Sequence, residues 1–225
     1  MKQNYIEKNP ASKLPRWKDT PKYVHIPQEQ GVIRALDVAV NYCESNNAVK
    51  IRDGLIFMLA VYSGCRRDEI RNLPLKDVQK ALLKSVTDVY RIYTTGKTGD
   101  AILRFTSDHV PYLRKYLAIR PYGSRYLFVN VAKNSPYFGE QLSLVSFNRV
   151  RWKICKDARI DVITYQELRR RLATIIARSA GVDVAAQALN HSPHTGDRVI
   201  RLFYYNPDLE AVDKATGEAW QSLKG

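Results

Sequence analysis

The sequence predicts an α+β fold that is mainly α, with a small antiparallel β-hairpin at one edge of a helical domain. Apolar residues recur at helical spacing over most of the chain from residue 28 onward. Residues 86–106 instead alternate in polarity on either side of a Gly-containing turn, which indicates a hairpin. With 225 residues, 45% of them hydrophobic, the chain is long enough for one large domain or a domain with a small appendage.

The N-terminal part divides into a polar segment and two helices. Residues 1–27 are polar and rich in proline, which predicts an extended arm or an interdomain linker. Helical spacing of apolar residues then predicts one helix over 28–46 and a second over about 51–63. An apolar stripe on one face of each helix is most simply explained as core.

The chain after the hairpin is predicted to be helical again. Apolar spacing predicts five helices, over residues 108–119, 141–157, 164–180, about 183–190 and 197–205. The tail, 209–225, carries Trp220 and Leu223 among charges and predicts one more short helix. An exposed tryptophan on a terminal helix suggests docking, either on its own domain or on a neighbouring protomer.

The charge balance indicates a polyanionic partner. The chain has 36 Lys and Arg against 22 Asp and Glu, a net charge of +14, and nucleic acid is the commonest partner of such a protein. A solvated basic face is the default explanation for cations on a helix, but the total charge favours phosphate contact. The candidate DNA contacts on the helices over 141–157 and 164–180 are Arg149, Arg151, Lys153, Arg170 and Arg171.

Several classes of protein are not expected from this sequence. Three cysteines, far apart and odd in number, argue against a disulfide framework and a zinc site. No apolar run reaches the roughly 18 residues of a membrane span, and the N-terminus lacks an apolar signal core. We therefore expect a soluble intracellular protein with no membrane partner.

Candidate site residues appear at the end of the second helix and at the hairpin turn. Gly64 can break the helix, and Arg66 and Glu69 then share a face of a new helical turn, although a surface ion pair explains the same spacing. The turn carries Lys97 within Gly-Lys-Thr. This is not a phosphate-binding loop, because Arg91 occupies the place of the earlier glycine and a strand follows. A solvated turn lysine is the alternative.

Residues 164–205 supply three further chemical groups in order. Arg169 lies on an apolar-backed helix, His191 follows the next helix, and the pair Tyr204 and Tyr205 closes a third. Arginine, histidine and tyrosine can bind a phosphodiester and attack it with a phenol oxygen. Core packing with one exposed ring is the more common explanation of a tyrosine pair.

The order of these elements resembles the catalytic domain of tyrosine recombinases, the phage integrase family. The matching features are Gly-x-Arg-x-x-Glu, a hairpin lysine, an arginine helix continuing into Ala-Thr, Leu-x-His-Ser and a late tyrosine, within residues 28–208. The resemblance implies catalytic roles for Arg66, Lys97, Arg169, His191 and Tyr204. In these roles the arginines and His191 bind the phosphate, Lys97 protonates the leaving 5′ oxygen and Tyr204 is the nucleophile.

Supporting roles follow from the same resemblance, with three departures. Glu69 resembles the acidic residue that braces the first arginine, and Tyr205 is the alternative nucleophile. Gln166 stands where the family usually has histidine; glutamine can hydrogen-bond a phosphate oxygen but cannot exchange a proton near pH 7, so Gln166 is either a supporting residue or a cause of reduced activity. The gap from His191 to Tyr204 is longer than usual, and only residues 1–27 precede the catalytic part. We expect a fragment that lacks an N-terminal core-binding domain; a minimal version is the alternative.

The resemblance implies a site-specific recombinase or integrase that cuts and rejoins DNA through a 3′-phosphotyrosine intermediate. The expected partner is double-stranded DNA, bound by a homotetramer on paired sites. No metal, ATP or other cofactor is expected, and the expected location is cytoplasmic and nucleoid-associated in a prokaryotic or viral context. The alternatives are a type IB topoisomerase-like relaxing enzyme and a catalytically weakened DNA-binding regulator.

Overall fold

The computed structural model describes residues 27–83, 88–96, 99–190 and 209–223 of the chain. Helices α1 (Glu29–Glu44) and α2 (Ala48–Ser63) pack against each other at the start of the domain. Asn47 caps α2, because its side-chain oxygen accepts the N–H groups of Val49 at 2.9 Å and Lys50 at 3.1 Å. The two helices predicted for this region are confirmed, with ends shifted by at most three residues.

A short helical segment connects α2 to the hairpin. Helices α3 (Arg67–Arg71) and α4 (Leu75–Leu83) precede strands β1 (Val89–Gly96) and β2 (Gly99–Thr106). The strands pair antiparallel, from Val89 opposite Thr106 to Gly96 opposite Gly99, so the predicted hairpin is confirmed. Helix α4 was not predicted, because nine residues are too short to display a clear apolar period.

Five further helices complete the described part of the chain. A 3₁₀ turn leads into the first of them, and the set is α5 (Val110–Ile119), α6 (Leu144–Asp157), α7 (Tyr165–Ala180), α8 (Val182–Ala188) and α9 (Leu209–Ser222). Each coincides with a predicted helix to within a few residues. The helix predicted over 197–205 lies outside the described residues. None of the helices that the structure describes is long and apolar enough to cross a membrane.

Helix α2 is the centre of the fold. It packs against α1, α5, α6 and α7 as well as β2, and residues 51–61 are all buried. The prediction of a single apolar stripe on α2 was therefore wrong, because neighbours cover the helix on every side. Its two buried charges compensate each other, with the Arg52 guanidinium 2.6 Å from the Asp53 carboxylate.

The C-terminal helix α9 packs on its own domain. Trp220 is 1% exposed rather than open to solvent, and its indole N–H donates to the backbone oxygen of Tyr62 at 2.6 Å. A second, smaller core lies between α7, α8 and α9, and its buried members are Leu172, Ile176, Ala185, Ala188, Leu189, Ala215 and Ala219. This arrangement fixes where the chain resumes after residue 208.

Candidate active site

The turn after α2 packs the backbone before the first arginine of the site against neighbouring helices. Gly64 ends α2 in the left-handed conformation, with φ 58° and ψ 12°. A side chain there would also collide with its neighbours, since a Cβ atom would lie 2.5 Å from Leu189 and 2.9 Å from Leu172. Glycine is therefore required twice over, and the turn presses the backbone before Arg66 against α7 and the end of α8.

Arg66 is held by the carboxylate of Glu69. That carboxylate accepts the Arg66 backbone N–H at 2.7 Å and its guanidinium at 2.9 Å. Glu69 is 1% exposed, whereas the Arg66 side chain is 32% exposed. The buried acid thus orients the arginine while part of the guanidinium remains open to a ligand. The spacing indicated both an ion pair and a site residue, and the two interpretations are compatible.

Arg169 reaches the same turn from α7. Its Nη1 donates to the backbone oxygen of Gly64 at 2.6 Å, and its Nη2 donates to the backbone oxygen of Leu189. Burial lowers the pKa of the Arg169 guanidinium, and the positive charge of Arg66 lowers it further. Two arginines close enough to repel each other form a site that an anion would stabilise.

The start of α7 fixes the register that brings Arg169 inward. The Thr164 hydroxyl accepts the Glu167 N–H at 3.1 Å, and the Glu167 carboxylate accepts the Thr164 N–H at 2.7 Å. In the first turn, Gln166 is exposed and stands three residues before Arg169. Of the neighbouring arginines, Arg170 is half-buried, while Arg171 pairs with Glu29 of α1.

The remaining catalytic candidates lie outside the described residues, but the chain beside two of them is anchored. Those candidates are Lys97, His191, Tyr204 and Tyr205. Near the hairpin turn, the Thr94 hydroxyl donates to the backbone oxygen of Glu69 at 3.2 Å. Asn190 adopts φ 53°, and its amide accepts the Ile102 N–H at 2.9 Å and donates to the Ile102 oxygen at 3.0 Å. The residue before His191 is thus joined to the strand that follows Lys97.

The structure distinguishes among the basic residues of α6. Arg149 is exposed, but the Arg151 guanidinium donates to the Ile163 backbone oxygen at 3.4 Å and is half-buried. Lys153 lies 3.3 Å from the buried Asp53 carboxylate, which neutralises part of its charge. Sequence reasoning did not identify Trp152 as a surface residue of this helix, where it is 51% exposed. Its only sequence signal is an aromatic residue on the polar face.

Sequence reasoning also missed the residues that tie the site together. Thr94 and Asn190 have no distinguishing spacing, although asparagine is the non-glycine residue that most readily adopts positive φ. Their partners are 25 and 88 residues away in the chain, and no local pattern reports such pairs.

The sequence of this region agrees with one protein family. Residues 33–195, well over half of the chain, match the phage integrase family. The chain belongs to the phage integrase family. The matched range contains Arg66, Lys97, Arg169 and His191, and it ends before Tyr204. Among curated proteins, none matches this chain.

Solved structures of two recombinases share the fold of this phage integrase family member. One is the XerH site-specific recombinase bound to a palindromic difH substrate in a post-cleavage complex; it is 19% identical, with a TM-score of 0.58 over 88% of this chain and 51% of XerH. The other is the XerA recombinase, also 19% identical, with a TM-score of 0.57 over 95% of this chain and 69% of XerA. The chain therefore spans about half the length of the XerH chain.

Proposed function

We propose that this chain is the catalytic domain of a site-specific DNA recombinase or integrase, which cuts and rejoins strands through a 3′-phosphotyrosine intermediate. The observation that carries the proposal is the meeting of Arg66 and Arg169 at one turn, beside the backbone that leads into His191. Membership of the phage integrase family and the likeness to XerH and XerA support it.

The two arginines would bind the scissile phosphate. Attack on a phosphodiester adds negative charge to its oxygens, and guanidinium groups stay protonated while they bind that charge. Pre-aimed donors of this kind contribute on the order of 3 kcal/mol each to the transition state. A guanidinium has five N–H donors, so the two bonds from Arg169 to backbone oxygens leave donors of the same group for a phosphate.

The other proposed groups move protons and form the covalent bond. The Tyr204 oxygen forms a bond to phosphorus while the bond from phosphorus to the 5′ oxygen breaks, and the phenol proton passes to water. Positive charge from the arginines would favour the phenolate. Lys97 protonates the departing 5′ oxygen, and His191 donates a hydrogen bond to the phosphate. The phosphotyrosine keeps the energy of the broken bond, so rejoining needs no ATP.

The proposed partner is duplex DNA, bound by four copies of the chain on two paired sites. The +14 charge and the exposed Arg149 support DNA binding. XerH was solved in complex with its difH substrate, which supports the same class of ligand here. Such a protein would act in the cytoplasm, on nucleoid or phage DNA.

The test uses the chain and a nicked DNA suicide substrate, analysed on a denaturing gel. We expect a protein–DNA adduct that Tyr204→Phe abolishes and Tyr205→Phe retains. The reverse pattern would move the nucleophile to Tyr205. Arg66→Ala and Arg169→Ala should each abolish the adduct with only modest loss of DNA binding; equal loss of binding would contradict their catalytic role.

A second candidate is a DNA-binding regulator that has lost catalysis, and the exposed Gln166 in place of the usual histidine favours it. Specific DNA binding without any adduct would support this candidate. Relaxation of supercoiled DNA without a specific site would instead indicate a topoisomerase-like enzyme.

A further inference from the structure

Arg104 is a charged residue in the interior, on the strand that follows the hairpin turn. It is 3% exposed, and burial lowers the pKa of its guanidinium to about 10. Its Nε donates to the Asp213 carboxylate at 3.0 Å, and its Nη1 donates to the Ala188 backbone oxygen at 3.3 Å. One side chain therefore joins β2, the end of α8 and α9.

The sheet register places two arginines opposite each other, and a carboxylate between them stabilises the hairpin. Arg104 lies directly opposite Arg91 in the β1–β2 ladder. Like charges in that position destabilise a hairpin. Asp213 resolves the conflict, because its two oxygens pair with both arginines and its side chain is only 14% exposed. Arg91 and Arg104 of the hairpin thus bind one carboxylate together, that of Asp213 in α9.

Polar contacts help to orient α9, beside the apolar burial of Trp220. The buried residues that α9 contributes to the second core are Ala215 and Ala219, whose small side chains allow a helix to slide or rotate. Asp213 fixes one end of the helix, and the Trp220 indole fixes the other through Tyr62. A buried ion pair adds little net stability compared with apolar packing of the same size, so geometry is the better explanation for its presence.

We propose that Arg104 is a positioning residue which, with Asp213, latches α9 to the hairpin and so orients the chain segment that carries the tyrosine nucleophile. The proposal rests on the proposed function. Arg104 follows Lys97 on the hairpin, Ala188 lies just before His191, and Asp213 lies nine residues after Tyr204. The latch therefore links the segments that carry three of the proposed catalytic groups.

The test compares latch variants of the full chain in single-turnover adduct formation on the nicked suicide substrate. Arg104→Met and Asp213→Asn should each slow adduct formation on the order of 10²-fold, the loss that follows from misplacing a reacting group by about 1 Å. Binding to the uncleaved duplex should be unchanged. The control is Lys214→Ala with Glu218→Ala, an exposed pair on the same helix, and it should react at the wild-type rate.

The double variant Arg104→Met with Asp213→Asn separates positioning from folding. Asp213→Asn alone should lower the melting temperature, because it leaves a buried guanidinium without its carboxylate. The double variant should recover part of the melting temperature, because it removes the buried guanidinium of Arg104, whereas Arg91 is 33% exposed and its charge can be hydrated. It should not recover the rate. Recovery of both together would overturn the proposal, as would single variants that melt earlier yet react normally.

Failure of the proposed function would be visible separately. An unmodified chain that forms no adduct contradicts the recombinase assignment whatever the variants do. Amide hydrogen exchange over residues 209–223 still tests the latch in that case. Faster exchange in Asp213→Asn than in the Lys214 and Glu218 control supports the latch, and equal exchange overturns it.

Discussion

Arg169 combines a structural role with a proposed chemical role in one side chain. Its guanidinium bridges the backbone oxygens of Gly64 and Leu189, which belong to segments more than a hundred residues apart. The positive charge of Arg66 also lowers the pKa of the Arg169 guanidinium. A planar group with several fixed donors can do both, whereas a point charge cannot.

Arg169→Lys should therefore lose adduct formation although it keeps the charge. A single ammonium cannot span two carbonyls and a phosphate, so we expect a rate loss on the order of 10²–10³-fold. The measurement is single-turnover adduct formation beside duplex binding, which should persist. Arg178→Lys, the same change at the exposed end of α7, is the control. Equal activity in the Arg169→Lys and Arg178→Lys variants would contradict the bridging role.

Gly64→Ala should destabilise the fold by roughly 2–4 kcal/mol, from backbone strain at φ 58° together with the collision with Leu189 and Leu172. Urea denaturation measures the change in the free energy of unfolding. Gly31→Ala is the matched control, because it lies in α1 with open space around it and should be neutral or slightly stabilising. Equal effects at both positions would refute the packing argument.

The cysteines should be unreactive in the native protein. Burial raises the pKa of the Cys43 thiol to about 12 and that of Cys65 to about 12, and Cys155 is also buried with a raised pKa. The thiolate is the reactive form, so iodoacetamide at pH 8 should label none of them without denaturant. Mass spectrometry should find all three labelled in urea. Native labelling of Cys65 would show that the turn beside Arg66 opens in solution.

At the scale of elements, the hairpin connects the segment of Arg66 and Glu69 with the segment that leads into His191. Strand β1 is tied to α3 through Thr94, and β2 is tied to the end of α8 through Asn190. Two strands alone are marginally stable in water, so these side-chain bonds give the hairpin a defined place against the helices. The strands on either side of Lys97 therefore have a fixed base.

Asn190→Ala should loosen that base. The change removes two hydrogen bonds to Ile102 and places alanine at φ 53°, for a loss of about 1–3 kcal/mol. Asn190→Gly removes the same bonds but tolerates the backbone angle, so it should be the less destabilised of the two. Thermal melts and adduct rates would measure both. Slow reaction in both variants assigns the effect to the bonds, while normal reaction in Asn190→Gly would assign it to the backbone.

Local pattern predicted the elements but not their connections. Apolar spacing found α6 and α7 because each keeps one face on the core for four turns, and alternation found the hairpin. Spacing also placed Arg66 and Glu69 on one face of a helical turn, whereas the choice of Arg169 among three consecutive arginines came from the resemblance to the phage integrase family. It could not show that Lys153 is paired with Asp53, a hundred residues earlier, or that Arg104 meets Asp213. Such pairs depend on packing, which the one-dimensional pattern does not encode.

At the scale of the whole molecule, the charge excess is distributed between paired and free cations. The charges of Arg52, Arg104 and Arg171 are paired with carboxylates of the same chain. Arg149 on α6 is exposed, and no hydrogen bond or ion pair engages it within the part of the chain that the structure describes. The net charge of +14 would therefore contribute mainly to the long-range attraction of DNA, while a few exposed side chains would make the phosphate contacts.

Salt dependence can separate these two contributions. The logarithm of the DNA binding constant should fall linearly with the logarithm of salt concentration, with a slope of about −0.9 for each phosphate neutralised. Arg149→Ala should flatten that slope by about 0.9, because it removes one contact. Lys80→Ala removes the same charge from an exposed position on α4 and should leave the slope unchanged. If both variants flatten the slope equally, overall charge rather than a defined α6 contact governs binding, and α6 would lose its proposed role as a DNA-binding helix.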